Sequence, residues 1–176
     1  MGKKTMSLSY DDLAPLYDEL YGEEQGRKNF IAYGFLEGSK KILDVGCGTG
    51  ILGEMLKKAE YYLCLDLSKG MLRIFKGKNH RVISDALRAD AKILPIRDNA
   101  FEAAACITVL HEVPEAIREI HRVLKPAGIA VISIKKKLTK IVSLEGFSIQ
   151  KLIESAGDEI FVVTAVKQMP SHHSSE

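Results

Sequence analysis

A single α/β domain with a doubly wound, mostly parallel sheet of six or seven strands and helices on both faces is the fold this chain predicts, on three observations. Short apolar runs alternate with segments whose apolar residues recur at helical spacing, the pattern of parallel strands joined by crossover helices. One such run, Lys41-Ile42-Leu43-Asp44-Val45, enters a loop with glycine at every second position, Gly46, Gly48 and Gly50. The length of 176 residues and a hydrophobic content of 46% suffice for one core, and no internal repeat is present.

The glycine loop says most about the ligand. Glycine lets the backbone enter φ values that other residues avoid and lets a ligand approach the bare main chain. Ile51, Leu52, Met55 and Leu56 follow at helical spacing, so the loop opens a helix that packs back on the strand. A dinucleotide fingerprint would need a third glycine where Ile51 stands, and a P-loop would need Gly-Lys-Ser/Thr where Gly50 is followed by Ile51-Leu52. Neither phosphate cradle is present. Asp44 stands two residues before the first glycine, where its charge repels phosphate and favours a cationic amine or sulfonium. The expected ligand is a nucleoside carrying positive charge.

Asp44, Gly46, Gly48 and Gly50 resemble the first motif, D-x-G-x-G-x-G, of the class I S-adenosylmethionine-dependent methyltransferases, a Rossmann-like family, and the wider chain from about Tyr10 to Lys135 resembles its small type 11 subgroup. Several separated motifs occur in the family's order. The resemblance implies S-adenosyl-L-methionine as cofactor and S-adenosyl-L-homocysteine as product. It implies cofactor contacts from Asp44, Gly46, Cys47, Gly48 and Gly50.

The remaining elements follow in chain order. Tyr61–Leu65 reads as a second buried strand ending at Asp66, a carboxylate placed to accept from both ribose hydroxyls, with Leu67 against the adenine by resemblance. Ser68 caps the next helix, anchored by Met71, Leu72 and Phe75. A third strand lies within Val82–Ala89, where Asp85 and Arg88 interrupt the apolar pattern. Ala89-Asp90-Ala91 then resembles the family segment in which the acid accepts from the adenine amine and the next N–H meets a ring nitrogen. Phe101–Leu110 is a fourth strand, and in the family the backbone near Ile107 and Thr108 faces the methionine end of the cofactor. His111 in the following loop is either a general base or a histidine that ties the loop to a carbonyl. Pro114 opens a helix with Ile117, Ile120, Val123 and Leu124 on one face, and Lys125-Pro126-Ala127-Gly128 ends it, with Ala127 replacing a family glycine. Ile129–Ile134 is a fifth strand, Ser148–Ala156 reads as helix and Glu159–Val166 as strand. The family's closing two-strand hairpin would need a strand from Thr139–Leu144; otherwise the sheet is reduced.

Residues 1–38 form a helical lid segment in this reading, residues 39–168 the core and residues 169–176 a disordered tail. Tyr10 and Tyr17 either attract the sulfonium through their ring faces or simply pack the helix. Three cysteines without a C-x-x-C pair, Cys47, Cys64 and Cys106, suit burial in a reducing compartment; neither a disulfide nor a metal site is expected. With no signal peptide or spanning apolar run, the expected location is cytoplasmic, away from membranes. A net charge of +2 gives no strong nucleic-acid signature, and the cluster Lys135, Lys136, Lys137 and Lys140 either touches RNA phosphates or is a solvated loop. The acceptor is left open among an RNA base, a protein and a small metabolite. Since little chain lies outside the core, the lid alone, a second copy of the chain, an activating subunit or a large substrate completes the pocket. A catalytically silent, cofactor-binding subunit is the alternative.

Overall fold

The computed structural model describes residues 9–167. It opens with a long helix, α1 (Tyr10–Leu36), whose first turn is capped by Ser9 accepting from the Asp12 N–H. Strand β1 (Lys41–Val45) then feeds the glycine loop and the short helix α2 (Ile51–Met55). Next come β2 (Tyr61–Asp66), α3 (Lys69–Gly77), β3 (Ser84–Arg88), β4 (Phe101–Ile107) and α4 (Ala116–Val123). The chain finishes with β5 (Leu124–Lys135), a 3-10 turn at Lys136–Ile141, β6 (Phe147–Ser155) and β7 (Asp158–Ala165).

The seven strands lie in the order β3-β2-β1-β4-β5-β7-β6, with the first five parallel and β7 antiparallel to both its neighbours. Alternate residues of the central strands supply two cores. Leu43, Val45, Leu65 and Cys106 face α4 through Ile117, Ile120 and Val123. Ile42, Tyr62, Cys64 and Ala105 face the other layer, where α1 contributes Ala32 and Leu36, α2 contributes Leu52, and α3 contributes Leu72 and Phe75. Helices thus cover both faces, and the order reverses between β1 and β4, which opens a crevice at the strands' C-terminal ends.

Four expectations need correction. The segment Ser148–Ala156 is not helix: it lies in β6 up to Ser155, and although Ile149, Leu152 and Ile153 fit a 3.6 period, Ala156 (φ 48°) and Gly157 (φ 79°) form a two-residue left-handed turn that folds β6 back on β7. The closing hairpin is therefore made without Thr139–Leu144, and the sheet reaches seven strands. Lys125–Gly128 does not sit between helix and strand but bulges out of β5, with Phe101 opposite Leu124 and Ala103 already opposite Ile129. Helix α4 starts two residues beyond Pro114. The expected tail at 169–176 lies outside the described residues.

Candidate functional site

The crevice holds a cavity of about 170 Å³ above the ends of β1, β2 and β4. Its floor is made by main chain. Gly46 and Cys47 both donate their N–H groups to the Leu65 carbonyl, at 2.8 and 3.0 Å, so the loop turns back over β2 instead of running on. Gly46 has φ +72°, and a Cβ there would stand 2.4 Å from Val109 Cγ2. Gly50 takes φ +78° as the N-cap of α2, lies against Phe75 and borders neither this cavity nor the recess beside it. Gly48, between them, faces open space: a Cβ there would meet only the Tyr17 ring, at 3.9 Å.

Two carboxylates flank this floor. Asp66 accepts from Gly48 N–H and Ser68 N–H, each at 2.8 Å, one on each oxygen. Both donors fix the plane of the carboxylate and leave lone pairs facing the cavity. Burial raises its pKa and those N–H groups oppose the rise. Asp44 is only 3% exposed and lines a smaller recess beside the cavity with Gln25, Asn29 and Cys47. Its single hydrogen bond comes from Tyr62 O–H at 2.6 Å. Burial lifts its pKa to about 7, against the pull of that hydroxyl. A buried carboxyl with one donor and no cation beside it among the described residues is a fit for a cationic ligand.

Helix α1 forms the roof. Tyr10 and Tyr17 line the cavity, and burial pushes the Tyr17 phenol up to about 12. Tyr10 donates its hydroxyl to Glu112 at 2.7 Å, bridging the roof to the loop after β4. Asp11 accepts from Ser68 O–H and Gly70 N–H, both at 2.6 Å, which docks the start of α1 on the start of α3.

Leu67, Asp90 and Ala91 form one wall of the same cavity, and Ile107 and Thr108 another. Asp44 and Cys47 border the side recess instead. His111 lines neither: it lies behind Glu112, with Nε2 3.4 Å from Glu112 Oε1 and Nδ1 buried without a partner among the described residues. Burial and the Lys135 charge hold its pKa below the usual histidine value. The loop residues that do face the cavity are Val109, Glu112 and Val113, and Met71 adds its side chain from α3.

Sequence reading missed what stands behind Thr108. This residue has φ 58°, a left-handed conformation that a β-branched side chain rarely takes. Its N–H donates to Ser133 Oγ at 2.8 Å and its hydroxyl to Asp158 at 2.9 Å. Lys28 of α1, fully buried, reaches the same group, 3.0 Å from Asp158 and 3.3 Å from Thr108 Oγ1. A 2.6 Å ion pair to Glu24 completes its coordination. One buried cation thereby ties the roof helix to β7 and to the end of β4. A lysine within a helical segment gives no sequence signal of this.

The cysteine expectation is also corrected. Cys47 and Cys64 form a disulfide, and Cys106 alone stays free and buried. The loop's return over Leu65 brings Cys47 next to the strand that carries Cys64, with 5.3 Å between Cα atoms, so 17 residues of separation are closed by strand pairing and not by a local C-x-x-C. Among the described residues no cluster suited to a metal ion occurs, and no helix is long and apolar enough to cross a membrane. Of the lysine cluster after β5, Lys136 is paired with Glu154 at 2.9 Å.

This fold and site define a nucleoside-binding α/β domain of the methyltransferase type. A methyltransferase-domain family model matches residues 43–132. A demethylmenaquinone methyltransferase of Renibacterium salmoninarum is 35% identical over 135 residues, covering 70% of this chain and 56% of the relative. A tRNA (carboxymethyluridine(34)-5-O)-methyltransferase of Arabidopsis thaliana is 32% identical over 139 residues, covering 75% and 33%. In fold, the chain is similar to one chain of the complex between the Haloferax volcanii Trm112 methyltransferase activator and the putative methyltransferase, with TM-score 0.74, 14% identity and coverage of 93% of this chain and 98% of that one. The chain belongs to the S-adenosylmethionine-dependent methyltransferases, and S-adenosylmethionine is the family's cofactor. It spans from a quarter to a little over half the length of curated relatives that it matches.

Proposed function

We propose that this chain transfers the methyl group of S-adenosylmethionine to an acceptor presented at the β4 side of the cavity. The observation that carries this reading is the pairing of a buried carboxylate, Asp44, with a half-buried one, Asp66, across a bare peptide floor. In this reading Asp66 accepts from the ribose hydroxyls, and Asp44 meets the cationic amino-acid end through the side recess, where Gly46, Cys47 and Gly48 supply main chain. Gly50 holds the loop in shape. Asp90, Ala91 and Leu67 receive the adenine, while Ile107 and Thr108 face the methionine portion. Residues 1–38 act as the lid over the 39–168 core, with the rings of Tyr10 and Tyr17 toward the sulfonium.

When bound, the cofactor supplies an already activated methyl group. The protein's share is alignment, which can supply ~7–11 kcal/mol of a bimolecular barrier. Where the acceptor must lose a proton, His111 is the candidate base; it stands 3.4 Å behind Glu112, the loop carboxylate that lines the cavity, and burial lowers its pKa from the usual histidine value.

Calorimetric titration with S-adenosylmethionine and with NAD tests the cofactor reading, which fails if NAD binds and the methyl donor does not. Incubation of cell extract with methyl-labelled cofactor tests transfer, and the labelled fraction, RNA, protein or small molecule, names the acceptor class. A second reading, a cofactor-binding subunit without transfer activity, is favoured by Glu112: its carboxylate is already engaged by Tyr10. It predicts tight cofactor binding and no label. The similarity to a methyltransferase from an activator complex supports a partner subunit in either case.

A further inference from the structure

We infer that the groove between α3 and β3 holds the sugar-phosphate backbone of a single-stranded polynucleotide, which names the substrate class for the transfer proposed above and rests on that reading. The first ground is charge. Residues 67–88 contain six basic residues, Lys69, Arg73, Lys76, Lys78, Arg81 and Arg88, and one acid, Asp85, whereas the rest of the chain has 19 basic and 22 acidic residues. A chain of net charge +2 thus concentrates +5 in one eighth of its length.

The second ground is geometry. Lys69, Arg73 and Lys76 recur at i, i+4 and i+7 on α3, so they lie along one face over roughly 10 Å of helix axis. With Arg88 of β3 they border a groove of about 270 Å³ whose floor is Leu72 and Ala86. All four are exposed, and none has a carboxylate ion-pair partner among the described residues. Lys78, by contrast, is consumed by Asp18 and Glu54. Asp11 is held below its usual pKa first by the hydrogen bonds from Ser68 and Gly70, with a smaller contribution from the charges of Arg88 and Arg73. β3 is the outer strand of the sheet, and among the described residues the groove is lined by α3 and β3 alone.

The third ground is position. Arg88 donates Nε–H to the Leu67 carbonyl at 3.0 Å, and Leu67, 61% exposed, lines the cofactor cavity. A strand seated in the groove therefore arrives at the cavity rim. The groove carries no aromatic ring and no deep apolar pocket, so it contacts a repeating charge and leaves bases free to reach the cavity. An acidic peptide shares the charge and is the competing occupant that the oligoglutamate arm below tests.

Fluorescence anisotropy of labelled 12-mers of oligouridylate, oligothymidylate and oligoglutamate, across 50–200 mM salt, tests this. Four phosphate contacts give a slope of log K against log salt of about −2.8, or roughly 50-fold weaker binding over that range. Arg73→Gln with Lys76→Gln halves the slope, to about a 7-fold change, while the thermal midpoint and S-adenosylmethionine titration stay as in the parent. The stronger of the two oligonucleotides identifies RNA or DNA. Failure of both to bind, a slope the variant does not change, or preference for oligoglutamate overturns the inference. Polynucleotide binding without cofactor binding sinks the methyl-transfer reading and leaves the groove standing; the reverse result sinks the groove alone.

Discussion

The two sides of the cavity are built in opposite ways. On the β1–β2 side, contacts come from residues close in sequence: Gly46, Cys47 and Gly48 against Leu65 and Asp66, with main-chain groups doing most of the holding. On the β4 side the end of one strand is held by residues from the far ends of the chain, Lys28 and Asp158, through side chains that are fully or nearly fully buried. A main-chain floor tolerates most side-chain changes and fails where a carboxylate is lost. A buried side-chain cluster fails as a unit. In the function proposed above the difference also separates what each side does: the first holds the constant ligand, and the second ties the roof helix to the side assigned to the acceptor.

The most damaging way to test that contrast is Lys28→Met. Removing the cation leaves Asp158 buried and uncompensated, and breaking a buried pair in this way costs ~3–5 kcal/mol. Urea denaturation at pH 7 should show that loss, and adding Asp158→Asn should recover most of it, because the asparagine still accepts from Ser133 and Thr108. A single-variant loss under ~1 kcal/mol, the size typical of a surface pair, would mean that the roof is not anchored here.

On the other side, Asp44→Asn should act in the opposite direction on stability. The folded carboxyl titrates at about 7 and the unfolded one near 3.8. The folded state therefore favours the protonated form. This group's contribution is fully present below pH ~4 and is lost as pH rises through about 7, by at most about 4 kcal/mol. Asparagine does not ionise, so the variant should equal the parent at pH 4 and exceed it at pH 8 in thermal or urea melts. It should also bind S-adenosylmethionine on the order of 10- to 100-fold more weakly, the scale of one charged hydrogen bond. Stability that falls together with binding would show that Asp44 is held as a structural ion and not reserved for a cation.

Tyr10→Phe probes the seam between the two sides. The lost hydroxyl bridge to Glu112 is half-exposed, so ~0.5–1.5 kcal/mol is the expected scale. Stopped-flow release of the cofactor should quicken several-fold while its association rate holds, if the bridge closes the roof over a bound ligand. Equal change in both rates would assign Tyr10 to packing alone.

The same contrast explains what could be read from sequence. Asp44, Gly46, Gly48 and Asp66 announce themselves because each sits at the end of a strand whose apolar run is visible, whereas Asp90, after the interrupted run of β3, was legible only through its resemblance to a family segment. Lys28 and Asp158 are 130 positions apart, and neither position has a local pattern that says buried. His111 was the obvious titratable residue of its loop, yet the backbone turn after Leu110 gives the cavity to Glu112, one residue on. Cys47 and Cys64 pair only through the register of adjacent strands, and a spacing rule cannot see register. In β6, the helical period of Ile149, Leu152 and Ile153 competed with the turn signal of Gly157, and the pairing with β7 decided.

The smallest expected effect supplies the control for all of these. Ala127 takes φ 59° in the bulge at the start of β5, far along the sheet from the cavity, and its family counterpart is glycine. Left-handed backbone costs an alanine ~1–2 kcal/mol, and glycine avoids that cost while losing ~0.4–1 kcal/mol more chain entropy on folding. Ala127→Gly should therefore stabilise the protein by roughly 0.5–1 kcal/mol by that difference, seen as a higher urea midpoint with an unchanged slope. Neighbouring Gly128 is held for another reason: a Cβ there would press on the Lys125 carbonyl at 2.8 Å, so Gly128→Ala should destabilise. Since neither side of the cavity touches this bulge, cofactor affinity should stay unchanged in Ala127→Gly. A shift in affinity would show that strain at the sheet's far end reaches the site, and the division into two separately built sides would no longer hold.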